Sequence, residues 1–241
     1  MKNIRAFILM VSAVVLITAV TSNAKEYKKL DNKEQSVILI SAYTANGDME
    51  KLKPALIAGL ESGLTVNEIK EIAAHLYAYV GFPRALNAQT LFMQLMDERA
   101  GQGIKDVEGR QASPVPADFD RDKYGAELRA MLSGLKEVPP EAKWQKFNPV
   151  MDQFLKEHLF ADIFVRDVLT YKTRELVTIS ALAALHGTAG QLTYHMGAAM
   201  NVGNSEDELN EFVALIGEKV GSEEGETASE VLAGVLKSRK Q

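Results

Sequence analysis

Glu175 and His195 are the two side chains in this sequence best placed to move protons. Both lie in the stretch Arg174–Phe212, RELVTISALAALHGTAGQLTYHMGAAMNVGNSEDELNEF, on consecutive predicted helices that the turn at Gly187 should fold against each other. A carboxylate within reach of an imidazole is the minimal apparatus of general acid–base chemistry. Glu175 opens an almost wholly apolar helix, where burial would raise its pKa and a histidine neighbour would lower it. The blander readings are a carboxylate that simply favours a helix N-terminus, or pairs with Arg174, and a histidine that is satisfied in the core.

Three more residues are candidates for binding substrate. His75, in HLYAYVGFPR, and Arg84 could face the same cavity from an earlier part of the chain. Arg84 would serve an anionic substrate as a carboxylate clamp, or else join an interface salt bridge. His186 follows Glu175 by eleven residues on the same helical stripe, which sets them about 16 Å apart along the axis. Beside Gly187 it also fits a helix C-terminus, where a cation is favoured. Tyr77, Tyr79 and Tyr194 could line a pocket, although aromatic residues at helical spacing usually belong to a core. The four histidines show no His-x-x-x-His or His-Glu-x-x-His spacing, so no metal site and no cofactor are expected.

Composition narrows the function further. The 241 residues carry a net charge of −5 and 46% hydrophobic content, which describes a globular protein with no basic surface for nucleic acid. There is no cysteine, which excludes disulfides, thiol nucleophiles, thiol redox cycling and thiolate metal sites. Residues 1–24 pair Lys2 and Arg5 with an apolar run, Ala6–Val20, and end on small residues up to Ala24. This predicts a cleaved secretory signal and an exported, periplasmic protein with no stable membrane insertion.

The elements that must position the candidate pair are all helical. Val37–Asn46 and Met49–Glu61 read as helices, and Thr65/Glu68 has the spacing of a capping box opening a third. Gly81-Phe82-Pro83 should break that helix before another runs from Arg84 to Arg99. Residues 100–147 form a connector, rich in glycine and proline up to Asp122, with one short helix over Tyr124–Leu135. Asn148 then caps a helix reaching Phe160, with Pro149 in its first turn.

A shift of 140 positions lays Gln35–Gly81 on Glu175–Gly221 without a gap. Glycines coincide (Gly47 with Gly187, Gly63 with Gly203, Gly81 with Gly221), and so do the capping boxes Thr65/Glu68 and Ser205/Glu208. Glu71 falls on Glu211, whereas Glu175 falls on Gln35 and His195 on Ala55. The chain therefore divides into a first copy at 25–99, the connector and a second copy at 148–241. The duplication predicts that one half supports and the other reacts.

RELVTISALAALHG, QLTYHMGAAMNVG with SEDELNEF, GFPRALNA and EHLFADIF, in this order around the repeat, resemble the carboxymuconolactone decarboxylase family in its tandem two-copy form. The resemblance implies an all-α, alkylhydroperoxidase D-like helical bundle that assembles as a trimer. It implies that Glu175 and His195 match the family's Glu and His, acting on a small organic acid or lactone. The family's peroxidase cysteines would fall near Gly187, Thr188 and Gln191, so that activity does not carry over. Two functions remain open: a cofactor-free acid–base enzyme of decarboxylase type, and a non-catalytic binding or structural oligomer.

Overall fold

The computed structural model describes residues 27–240, and the expected leader at 1–24 lies outside them. Among the described residues every regular element is helical. Helices α1 (Asn32–Asn46), α2 (Met49–Glu61) and α3 (Val66–Gly101) form the first copy. Helices α4 (Arg121–Leu132) and α5 (Lys143–Phe147) follow, then α6 (Pro149–Gln153) running into a π-helical stretch at Phe154–Ile163. Helices α7 (Tyr171–Ala183), α8 (Ala189–Asn201), α9 (Glu206–Lys219) and α10 (Ser222–Arg239) complete the second copy.

The repeat is visible in the backbone. Gly47 and Gly187 turn their chains with φ of 82° and 80°, and Gly63 and Gly203 do so with 94° and 104°. Only glycine enters this region without strain. Thr65 and Ser205 then cap α3 and α9 through complete capping boxes with Glu68 and Glu208. The expected break falls at Gly81, where two helices run together in α3 meet at a kink. Its backbone leaves the helical region at φ 76° and ψ 159°, and α3 resumes through Pro83.

Helices α1 and α7 are buried along nearly their whole lengths and pack against each other, so one continuous core serves both copies. Their hydroxyls are satisfied internally: Ser41 donates to the Val37 carbonyl, Thr178 to Arg174 and Ser180 to Leu176. The copies also grip each other through the matched glutamates. Glu211 accepts the amides of Lys28, Lys29 and Leu30, which lead into α1. Glu71 binds Arg166 and Arg174, at the entry to α7. A carboxylate in each third helix thus ties down the start of the other copy's first helix.

A smaller cluster joins α4 to the π-helical stretch through Leu128, Leu132, Leu159, Phe160 and Phe164. Here α4 comes so close that a Cβ on Gly125 would lie 2.0 Å from the Lys156 carbonyl oxygen. This contact sets one wall of the cavity.

Candidate functional site

Thr170 starts α7 by accepting the Thr173 amide, which puts Glu175 in the second turn rather than at an exposed helix end. Gly187 reverses the chain, and α8 returns alongside α7. His195 Nδ1 meets Glu175 Oε2 at 2.7 Å. Glu175 is fully buried and its Oε1 has no hydrogen-bond partner. The rings of Tyr194 and Tyr79 stand edge-on to the imidazole at 5.0 and 5.7 Å.

His195 lines a cavity of about 770 Å³. With Nδ1 committed to Glu175, Nε2 is the ring atom left to serve that space. Apolar wall comes from Leu159, Phe160 and Leu182, and Trp144, the only tryptophan in the sequence, closes one side. Arg129 and Lys156 supply positive charge, balanced by Asp152 and Asp122. Burial pushes Asp152 up, but hydrogen bonds from Arg129 and Gln145 outweigh this and hold it below the usual carboxylate range. Thr188 and Gln191 line the same space.

His75 sits behind the pair, fully buried and absent from the cavity wall. Its Nδ1 lies 3.1 Å from Arg174 Nη1, and its Nε2 lies 2.8 Å from Thr178 Oγ1. A guanidinium only donates, so Nδ1 accepts and Nε2–H points to Thr178. Burial, then the charges of Arg174 and His195, lower its pKa well below the ordinary value, in keeping with this neutral form. His75 therefore packs in the interior and forms no part of the cavity wall.

The other two binding candidates are elsewhere. Arg84 is exposed and donates to the Ala45 carbonyl at 2.5 Å, away from the cavity wall. His186 is exposed past the end of α7 and lies 3.9 Å from Glu223. Sequence reasoning also missed much of the wall. Arg129, Ser133, Trp144 and Gln145 belong to the stretch read as connector, where no local spacing marks them.

The sequence profile of the carboxymuconolactone decarboxylase family matches residues 16–92 and 149–233. The chain belongs to that family. It is also similar to a 4-carboxymuconolactone decarboxylase of Acinetobacter baylyi, 34% identical over 97 residues that span 40% of this chain and 72% of that protein. In this carboxymuconolactone decarboxylase family member, Glu175 and His195 lie in the second matched stretch and Tyr79 in the first. The wall from Asp122 to Gln145 lies between the two matches. The first copy, through Ala78 and Tyr79, and the connector both contribute wall to the cavity.

Proposed function

We propose that this protein is a cofactor-free acid–base enzyme of decarboxylase or lyase type acting on a small organic acid or lactone. The observation that carries this reading is the 2.7 Å contact between His195 and a fully buried Glu175 at the wall of a cavity. With Glu175 ionised, Nδ1–H donates to it and Nε2 exchanges a proton with the ligand. Loss of carbon dioxide from a carboxylate on a saturated carbon next to a lactone carbonyl, or joined to it through one C=C, leaves the electron pair of the broken bond in an enolate. Protonated His195 returns a proton to carbon from Nε2, Glu175 balances the imidazolium charge, and solvent restores the proton.

The name of the Acinetobacter baylyi relative makes 4-carboxymuconolactone the first compound to try. The wall between the matched stretches argues for a wider panel, since the residues that shape the ligand there are outside the family pattern. Carbon dioxide release by purified protein from carboxylated lactones and oxo-acids is the test. Glu175→Gln and His195→Ala should each lower turnover by about 100-fold or more. Unchanged turnover in both variants overturns the assignment.

Self-association as a trimer belongs to the same reading. It is supported by large apolar side chains left exposed at Phe82, Leu86 and Met93 on α3 and at Phe147, Val150 and Phe154. Light scattering that returns a monomer refutes it.

A further inference from the structure

Of the three buried side-chain polar atoms without a hydrogen-bond partner among the described residues, one is Arg174 Nε, and the other two, Tyr79 Oη and Glu175 Oε1, belong to residues that touch His195. The phenol can donate and the carboxylate oxygen can accept. They come from opposite copies of the repeat, on α3 and α7, and both residues contact the same imidazole, Glu175 by hydrogen bond and Tyr79 by its ring edge. Unsatisfied buried groups are few in native proteins, and each calls for a reason.

The geometry points to Tyr79 as the positioning residue of the Glu175–His195 pair: its hydroxyl donates to Glu175 Oε1 through one bridging water. Glu175 then has both oxygens engaged, Oε2 by His195 and Oε1 by Tyr79, and its carboxylate plane is fixed. The imidazole is held in turn with Nδ1 toward Glu175 and Nε2 toward the cavity. The phenol stays protonated and keeps its O–H to donate, because burial, followed by the nearby Glu175 charge, raises its pKa above the usual tyrosine range. Other titratable or charged groups around the pair are Arg174 on α7, His75 on α3, Tyr194 on α8 and Arg129 on α4. Tyr194 is a poorer candidate for the role, since its hydroxyl already lies 3.2 Å from Ser133 Oγ. The consequence for turnover rests on the acid–base reading above, but the hydrogen bond does not.

The test needs no substrate. The chain has four histidines, so His195 and His75 can be assigned and titrated by nuclear magnetic resonance in the full protein and in Tyr79→Phe. Losing a donor concentrates charge on Glu175, which favours imidazolium, so His195 should titrate at least about half a pH unit higher in the variant. The His75 signals should stay in place. An unmoved His195 overturns the proposal, and so does a change confined to His75, which would assign the phenol to Thr178. If Tyr79→Phe does not fold, Glu175→Gln in the native background decides the matter. An amide accepts more weakly, so the Tyr79 hydroxyl proton should exchange faster there, and an unchanged rate counts against the bond. Failure of the acid–base reading shows up separately, as turnover indifferent to Glu175 and His195.

Discussion

Replacing Glu71 by Gln removes the one carboxylate that compensates Arg174, a guanidinium with no solvent exposure. Glu71 Oε1 accepts from Arg174 Nη2 at 2.7 Å, and Arg166 forks across both carboxylate oxygens at 2.8 to 3.0 Å. Arg166 is 43% exposed and can turn to water, whereas Arg174 cannot. It would keep only the Arg166 carbonyl at 2.5 Å and His75 Nδ1 at 3.1 Å, both neutral. Breaking a buried pair from one side costs about 3 to 5 kcal/mol, and the amide retains one acceptor, so the lower end applies. About 3 kcal/mol corresponds to a melting point lowered by about 6 to 12 °C in a protein of this size. Urea unfolding followed by far-ultraviolet circular dichroism measures the loss directly. Glu71→Leu combined with Arg174→Met should recover part of it, since no buried charge is then left unpaired and Arg166 can turn to water, although His75 loses its donor. A Glu71→Gln cost below about 1 kcal/mol would refute the view that this ion cluster holds the entry to α7.

Further outcomes follow from the same structure. Gly125→Ala forces a methyl into the Lys156 backbone and should destabilise by about 1 to 3 kcal/mol, while Gly197→Ala in α8, with open space at its Cβ, should stabilise by about 0.4 to 1 kcal/mol. Chemical denaturation of both variants separates steric from conformational effects, and equal outcomes would contradict the close approach of α4. Thr65→Ala and Ser205→Ala remove matched helix caps and should each cost about 1 kcal/mol, and a large inequality in melting temperature would argue against equivalent roles. The folded-state pKa values of Asp152, Asp162 and Glu208 are depressed, so their stabilisation is complete above the ordinary values of 3.8 and 4.5 and fades as pH falls through the lower, folded values. Asp152→Asn should flatten the acid limb of a melting-temperature profile, and a profile of unchanged slope below the ordinary range would count against the Arg129–Asp152 bond.

Most of the fold was legible in the sequence because its signals are local. The capping boxes at Thr65/Glu68 and Ser205/Glu208 need only a three-residue spacing, and Gly47 and Gly187 mark turns that other residues enter only with strain. Glu175 and His195 could be paired on paper because one tight turn separates their helices. The break expected at Gly81 is found there too, since its backbone at φ 76° leaves the helical region in a conformation that glycine adopts without strain.

Tertiary structure alone decided which other residues surround the pair. His75 reaches Thr178 across 103 positions, and Glu71 reaches Arg174 across the same separation, through the packing of the two copies on each other. Arg84 carries suitable chemistry but lies off the cavity wall, because a helix shows only one face to a given neighbour, and His186 falls in the turn beyond the end of α7. Tyr79 gains its importance from an unpaired hydroxyl that no spacing reveals, and the connector becomes a wall only where Gly125 lets α4 settle on the backbone at Lys156. Helix starts, turns and the repeat are fixed by neighbours a few residues apart, whereas the cavity is enclosed by segments that meet only once the core has packed.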